Sequence, residues 1–366
     1  MTLTSLGWDS FFDENFKSYR EQDFIPMRII RENRKDYIAH GEEGQFVCGI
    51  SGKFRFQSRS RPEHPTIGDW VAVSVRPDEK EATIHALIPR KSTFVRKVAG
   101  ETTEAQVVAA NIDTVFIVCG LDLNFRLRRI ERYLSMAWES GALPVILLNK
   151  ADLCSDLETR RMEVESIAHG ADVHAISASR KLGMEALTKY FVTGRTVAFL
   201  GSSGVGKSTI INALLGVERL KVNEVSELGS RGRHTTSFRE LIFLPGGGMV
   251  IDTPGMRELQ VWGDDESLKQ AFEDIEELSA RCHFRDCRHQ DEPGCAVHEA
   301  INNGSLDPKR LESFLKLKRE FTFLAARRVK KAGMVEKARG KAISQARKSI
   351  KKLKRGDWQS MPDDQS

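Results

Sequence analysis

The sequence predicts an α/β protein in three parts: a five-stranded β-barrel, an alternation of strands and helices, and a helical C-terminal region with a basic tail. Three observations carry this. Five short β-rich runs crowd into residues ~24–90. Six apolar runs of strand length alternate with helical stretches over residues ~110–262. From Arg327 to Arg355 the chain holds 13 Lys or Arg against one acid, Glu336.

The bounds follow from length and charge. At 366 residues there is room for two or three domains, and a 40% hydrophobic fraction is enough for real cores. The net charge of +5 hides a split: a tail of +12 leaves −7 for the rest. That is a basic arm on an ordinary body. No apolar run approaches the ~20 residues that span a bilayer, so no membrane association is expected. Met1 to Phe16 carries acids and aromatics, without a basic segment followed by an apolar one. No secretory signal is read there, and the expected location is cytoplasmic. Of six cysteines, Cys48, Cys119 and Cys154 sit in apolar strand or loop contexts. The other three crowd between residues 282 and 295 beside histidine, which favours metal over disulfides.

The first part reads as strands at Met27–Ile30, Gln45–Ile50, Lys53–Phe56, Asp69–Val75 and Ala82–Ile88. Five strands in ~65 residues fit a small barrel of the oligonucleotide-binding (OB) type. Between the third and fourth lies a basic loop, Gln57 to Pro62. It is either a solvated hairpin tip or a nucleic-acid contact.

In the second part, strands are expected at Ile112–Cys119, Val145–Leu148, Val173–Ser177, Val197–Leu200, Leu241–Leu244 and Met249–Asp252. Arg128–Ser140, Ser155–His169, Gly183–Tyr190 and Lys207–Leu215 have helical composition. This is a parallel sheet with both faces covered, whose ligands sit at the carboxyl ends of the strands. The third part is helical. Leu311, Phe314, Leu315, Phe321, Leu324 and Ala325 recur on one face of Pro308–Arg328.

The chemistry lies at the strand ends. Gly201, Ser202, Ser203, Gly204, Val205, Gly206, Lys207 and Ser208 fill every fixed position of the phosphate-loop pattern, after a strand and opening a helix at Thr209. The glycines turn backbone N–H groups toward phosphate, and the helix N-terminus adds positive potential. Lys207 would neutralise the β- and γ-phosphates, and Ser208 would bind Mg²⁺. Asn149, Lys150, Ala151 and Asp152 follow another buried strand. Asp152 can accept from guanine N1–H and N2–H₂, while Asn149 holds the loop and reaches the base. Such a site rejects adenine, by up to ~10⁴-fold. Ser177 and Ala178, one strand later, are placed to contact the guanine through their backbone. Asp252-Thr-Pro-Gly255 closes the set: Asp252 would hold Mg²⁺ through water, and the Gly255 N–H would sense the γ-phosphate.

The order of these pieces is informative. The base-reading run precedes the phosphate loop, which makes this a circularly permuted P-loop GTPase domain. The switch segments then lead straight into the C-terminal region. Between the phosphate loop and Asp252 lies Arg231-Gly-Arg-His-Thr-Thr-Ser237. It must hold the Mg²⁺-coordinating threonine, and spacing does not choose between Thr235 and Thr236. Met256 stands where many GTPases carry a water-orienting glutamine. His234 is then the nearest catalytic candidate beside Lys207, and a solvated loop residue is the other reading. Further on, Cys282, Cys287, His289 and Cys295 form a Cys₃His set suited to one tetrahedral zinc, closed by four protein ligands and hence structural. His283 and His298 are spare, and chelation by adjacent residues 282 and 283 is awkward.

A barrel-like start, permuted motifs in this order and C-x₄-C-x-H-x₅-C together resemble the bacterial family of ribosome small subunit-dependent GTPases A (RsgA, also YjeQ or YloQ). The resemblance covers residues ~25–330. It implies an OB-type barrel, a permuted GTPase domain and a zinc domain. It also implies late maturation of the small (30S) ribosomal subunit as the task, with 16S rRNA and ribosomal proteins as partners and GTP hydrolysis stimulated by the subunit. The family's proposed catalytic histidine corresponds to His234, and its usual lack of the glutamine matches Met256. The expected division is residues 1–95 for the N-terminal extension and barrel, 96–264 for the GTPase domain, 265–330 for the zinc domain and 331–366 for the tail, in a monomer. Two other classes remain: a P-loop ATPase or nucleotide kinase, against which Asp152 speaks, and an RNA-binding protein with an idle GTPase domain, against which Lys207, Ser208 and Asp252 speak.

Overall fold

The structure is a computed structural model. It describes residues 1–33, 35–58, 60–97, 105–122, 125–217, 239–252, 268–269, 271–290, 292–319 and 322. After helix α1 (Ser10–Arg20) come β1 (Ile25–Glu32), β2 (Tyr37–Gly41), β3 (Gly44–Ile50), helix α2 (Gly52–Gln57), β4 (Trp70–Arg76) and β5 (Glu81–Leu87). The strands run β1-β2-β3-β5-β4, and β4 closes back on β1. This is the predicted five-stranded barrel. Alternation fills it: Phe46 and Cys48 of β3 point inward against Met27, Ile29, Val71, Val73 and Ile84, while Val47 points out.

Two details of the barrel differ from expectation. Lys53–Phe56 is not a strand but part of α2, and the strand Tyr37–Gly41 takes its place in the count. Ser51 caps α2 by accepting from Phe54 N–H at 3.1 Å, and Phe54 turns toward the barrel core. An alternating Lys-Phe-Arg-Phe run reads as a strand until that cap is seen. The β2–β3 hairpin turns at Glu42-Glu43, which lacks the usual Asn-Gly or Asp-Gly signature. Its left-handed residue is Gly44, at φ 108°.

Strand β1 is buried on both faces. Met27 and Ile29 face the barrel core, whereas Arg28 and Ile30 face the rest of the molecule. Arg28 donates to the carbonyls of Gly68 (3.2 Å), Leu6 (2.5 Å) and Asn111 (2.9 Å). Burial pushes its pKa down to about 10. Three carbonyls from three segments thus share one guanidinium, which fixes the N-terminal arm and barrel to the strand that follows. Helix α1 and the arm before it cover β4: Trp8, Phe12 and Phe16 pack on Trp70, with Trp8 and Trp70 edge-on at 4.7 Å.

A hairpin, β6 (Thr93–Lys97) and β7 (Ala105–Ala110), leads into the second part. That part holds β8 (Thr114–Gly120), α3 (Leu127–Ser140), β9 (Leu143–Asn149), α4 (Leu157–Glu165), β10 (Asp172–Ala175), β11 (Thr196–Leu200), α5 (Lys207–Leu215), β12 (Arg239–Phe243) and β13 (Met249–Asp252). The stretch Met184–Tyr190 is a 3-10 rather than an α-helix. Strands β10-β9-β8-β11-β13 are parallel, and every residue of β8 is buried. The exception to the expected parallel sheet is β12, which pairs antiparallel with β13. Leu244-Pro-Gly-Gly-Gly248 joins them, and so short a connection can make a hairpin but not a crossover. On its other edge β12 pairs with β1 at Arg31↔Glu240 and Glu32↔Arg239, so barrel and parallel sheet form one continuous sheet.

The C-terminal region adds α6 (Glu273–Ser279), α7 (Ala296–Asn302) and a helix α8 over residues 308–319. Leu311 and Phe314 are buried and Leu315 partly so, as the periodicity predicted; residues 321, 324 and 325 lie outside the described residues. Phe272, Val297 and Phe314 share one core with Ile130 and Leu134 of α3. At this seam Arg310, 5% exposed, meets Glu131 of α3 at 2.8 Å and Asp274 at 2.8 Å. Burial works against its charge, but Asp274 and Glu131 more than offset it, so its pKa rises above the usual value.

Candidate functional site

Parallel pairing brings the polar ends of several strands to one edge. Gly120 of β8 pairs with Asn149 of β9, and Leu200 of β11, paired with Ile117, leads straight into Gly201. Asp252 ends β13, half-buried, next to Ile251 that pairs with Ala198. These are the ends at which ligands of such sheets bind.

The loop from Gly201 to Ser208 needs its glycines. Gly201 has φ 147°, and a Cβ there would meet the Val118 carbonyl at 2.5 Å. Gly206 has φ 99°, and its Cβ would lie 2.2 Å from Asn149 Nδ2. Val205 plugs the loop into the core, while Ser203 and Gly204 are exposed and Ser202, Ser208 and Thr209 half-buried. The buried Lys207 ammonium donates to the carbonyls of Gly201 and Ser202, each at 2.6 Å, so it lies across the loop. Helix α5 starts at Lys207 with its N-terminus toward the loop.

Asn149 ties three segments together. Its Nδ2 donates to Val205 O at 2.8 Å, and its Oδ1 accepts from Ala178 N–H at 3.1 Å. The role of holding the loop is therefore visible, with both polar atoms engaged within the chain. Ala151 N–H donates to Ile176 O at 3.0 Å. Lys150, at φ 66°, donates to Asp122 at 2.6 Å. Ser177 is fully buried and exchanges backbone hydrogen bonds with Leu182, which presents Ala178 toward Asn149. Asp152 is 9% exposed; its Oδ2 faces Arg180 Nε at 3.2 Å, and its Oδ1 is buried with no hydrogen-bond partner in the protein. A buried acceptor left unpaired costs ~1–3 kcal/mol, so it is the atom a ligand N–H would satisfy.

Sequence reasoning missed three residues here. Asp122 pairs with Lys150, Arg180 pairs with Asp152, and Arg129 of α3 donates to Ser202 Oγ at 3.2 Å. None belongs to a motif, and only the folded chain brings them to the site. His234, Thr235, Thr236, Gly255 and Met256 lie outside the described residues.

The second cluster is in the C-terminal region. One ligand atom each from Cys282, Cys287, His289 and Cys295 falls within 4.8 Å of all the others. Zn–S near 2.3 Å and Zn–N near 2.0–2.1 Å set tetrahedral edges of ~3.8 Å for S···S and ~3.6 Å for S···N. Here Cys282 and Cys295 sulfurs are 4.0 Å apart, and His289 Nδ1 is 3.7 and 3.5 Å from them. His289 Nε2 meets Ser279 Oγ at 3.0 Å. That hydroxyl donates its own proton to Ile275 O at 2.7 Å, so it accepts from Nε2–H and leaves the Nδ1 lone pair facing the sulfurs. Burial lowers the His289 pKa, which favours the neutral ring that ligates. The ring hangs on a left-handed backbone, φ 57°, unusual for a non-glycine and common where function fixes geometry. His298 instead meets His289 O, and His283 packs edge-on to Phe284, so neither enters the cluster. The arrangement can hold a metal ion.

Residues 87–262 match the family model described as RsgA GTPase. The chain is 44% identical to the small ribosomal subunit biogenesis GTPase RsgA of Opitutus terrae, over 98% of this chain and 100% of that protein. With the protein of that name from Syntrophotalea carbinolica it shares 40% identity over 94% and 96% of the two. Among solved structures it is similar to YjeQ from Thermotoga maritima, at a TM-score of 0.62 and 28% identity, covering 82% of this chain and 99% of that one. YloQ, a circularly permuted GTPase, shares the fold at a TM-score of 0.59 over 82% and 95% of the chains, with 24% identity.

Proposed function

The chain belongs to the RsgA GTPase family, and from that premise we propose that it binds the small ribosomal subunit, assists its late maturation, and hydrolyses GTP under the subunit's stimulation. The relatives are named for biogenesis of that subunit. The observation that carries the nucleotide reading is the buried, unpaired Oδ1 of Asp152, in a loop that Asn149 clips to the phosphate loop.

In this reading Asp152 accepts from the guanine edge, and Ala178 N–H and the loop 149–152 frame the base. The N–H groups of Gly201–Thr209 receive the phosphates, and Lys207 swings from the carbonyls of Gly201 and Ser202 onto the β- and γ-phosphate oxygens. Ser208, Asp252 and one of Thr235 or Thr236 are assigned to Mg²⁺. When bound there, the ion would supply positive charge against the phosphates, and these residues would hold it. Gly255 senses the γ-phosphate, and His234 orients the attacking water in place of the glutamine absent at Met256. Cys282, Cys287, His289 and Cys295 are assigned to one structural Zn²⁺, whose binding energy belongs to that region's folding.

The partner is the RNA-rich small subunit, 16S rRNA included. Support comes from the barrel fold, from the loop Gln57–Arg61, and from the run of 13 cations at Arg327–Arg355. No helix among the described residues is long and apolar enough to cross a membrane. We place the protein in the cytoplasm, as a monomer, with part boundaries near residues 95, 264 and 330. Sedimentation with purified small subunits, in a GTP analogue and in GDP, tests this reading. Co-pelleting should favour the GTP state and weaken steeply with salt, since Lys and Arg contacts to phosphate release counterions. Equal pelleting in both states, or none at low salt, would overturn it.

A further inference from the structure

Phe56 is the most exposed large apolar side chain among the described residues, at 91%. It stands on α2, the six-residue helix that caps the barrel between β3 and β4. The helix is firmly held: Ser51 caps its start, Ser58 Oγ donates back to Phe54 O at 2.9 Å, and Phe54 packs on the barrel core. Phe54 accounts for the inward face, and Phe56 contributes nothing to it. An aromatic ring in water on a rigid, six-residue platform is not explained by folding.

The stretch of chain that carries it has one sign of charge. Residues 44–62 contain Lys53, Arg55, Arg59 and Arg61 and no acid. Lys53 and Arg55 are exposed on α2 itself, and Lys53, three residues before Phe56, shares its side of the helix. The field of Lys53 also reaches His85 of β5, whose ring stacks on Phe24 with centroids 4.6 Å apart. The face that such barrels ordinarily offer to nucleic acid, along strands 2 and 3, has Gln45, Val47 and Gly49 outward on β3, and the rings on β2, Tyr37 and His40, are half-buried. Among the described residues of the barrel, the aromatic ring that stands exposed is Phe56 on α2.

We infer that Phe56 is a base-stacking platform: an unpaired RNA base stacks on its ring while Lys53 and Arg55 hold the flanking phosphates. This rests on the ribosome reading above and deepens it. The ring supplies a π-face to any base, and the adjacent cations track the backbone, which is how sequence-tolerant single-stranded binding is built.

The test uses the full chain in a GTP analogue and purified small subunits. Affinity is measured at several salt concentrations, and base accessibility in the subunit RNA is probed chemically. Phe56→Ala should weaken binding ~5- to 150-fold, leave the salt slope unchanged, and expose one or two unpaired bases within an otherwise intact footprint. Phe56→Trp should bind at least as well as the unmutated chain. Arg55→Ala should weaken binding with a shallower salt slope, by about one unit. Basal GTP hydrolysis of each variant, expected at the normal rate, shows that the fold is intact. Affinity within twofold and an unchanged footprint for Phe56→Ala would overturn the inference while leaving the ribosome reading standing. Full affinity in Phe56→Leu would assign the ring to a protein contact and overturn it as well. If the unmutated chain fails to bind subunits, the ribosome reading fails first and takes this inference with it.

Discussion

Replacing Arg310 by methionine probes how the C-terminal helices are fixed to α3 and the parallel sheet. The guanidinium donates to Glu131 Oε1 (2.8 Å), to both oxygens of Asp274 (2.8 and 3.0 Å) and to Ala271 O (2.9 Å), and it lies 4.3 Å from the Phe272 ring centroid. Methionine keeps the apolar stem and removes the charge. Asp274 is 23% exposed and can turn to water, but Glu131 is 4% exposed and cannot. Its Oε2 already has no hydrogen-bond partner, so the loss of Arg310 strands a whole carboxylate in the seam. Stranding one partner of a buried pair costs about 3–5 kcal/mol. That corresponds to a roughly 10²- to 10⁴-fold rise in local opening. Hydrogen exchange of the amides in α3 and α7, with zinc present, reads it directly. Glu131→Gln alone leaves Arg310 paired with Asp274 and should cost only about 1 kcal/mol. Arg310→Met combined with Glu131→Leu should recover most of the loss, because an apolar pair replaces the ions. A single Arg310→Met change below about 1 kcal/mol, or a double variant no better than the single, would refute a buried charge clamp.

Gly206→Ala should abolish nucleotide binding with little change in melting temperature, because its Cβ would displace Asn149 Nδ2 from 2.2 Å; normal GTP affinity by fluorescence titration would contradict the loop geometry. Asp152→Asn should move preference from GTP to xanthosine triphosphate, since an amide donates where the carboxylate could only accept, and competition binding checks it. Chelation should release about one Zn²⁺ per chain and raise hydrogen exchange in α6 and α7; substoichiometric metal that added zinc does not restore would count against the site. His234→Ala should lower kcat and leave GTP affinity nearly intact, because a group acting only in the transition state does not contribute to ground-state binding. An unchanged subunit-stimulated rate would return His234 to the solvated loop.

Much of this was legible in the sequence because the motifs are local. The phosphate loop, the Asn149–Asp152 run and the Cys282–Cys295 set each fall in one short stretch of chain, and permutation changes the order of the stretches without changing the residues within them. The barrel was legible as a class, but one of its five strands was misplaced. The period-2 pattern of Lys53–Phe56 competed with an N-cap at Ser51, and the cap won. Strand β12 carried the right composition, yet its direction depended on the short turn after it. What could not be read were contacts across long separations. Arg129 to Ser202, Arg180 to Asp152, and Arg310 to Glu131 join segments that no spacing rule connects.

The central claim is that this chain couples GTP hydrolysis to the small ribosomal subunit. It is tested most directly by measuring phosphate release from GTP with and without purified small subunits, alongside a Lys207→Ala control. The account predicts slow release by the protein alone, a large increase with small subunits, none with the Lys207 variant, and no comparable increase with large subunits. A rate indifferent to the small subunit, or equal turnover of ATP, would contradict it.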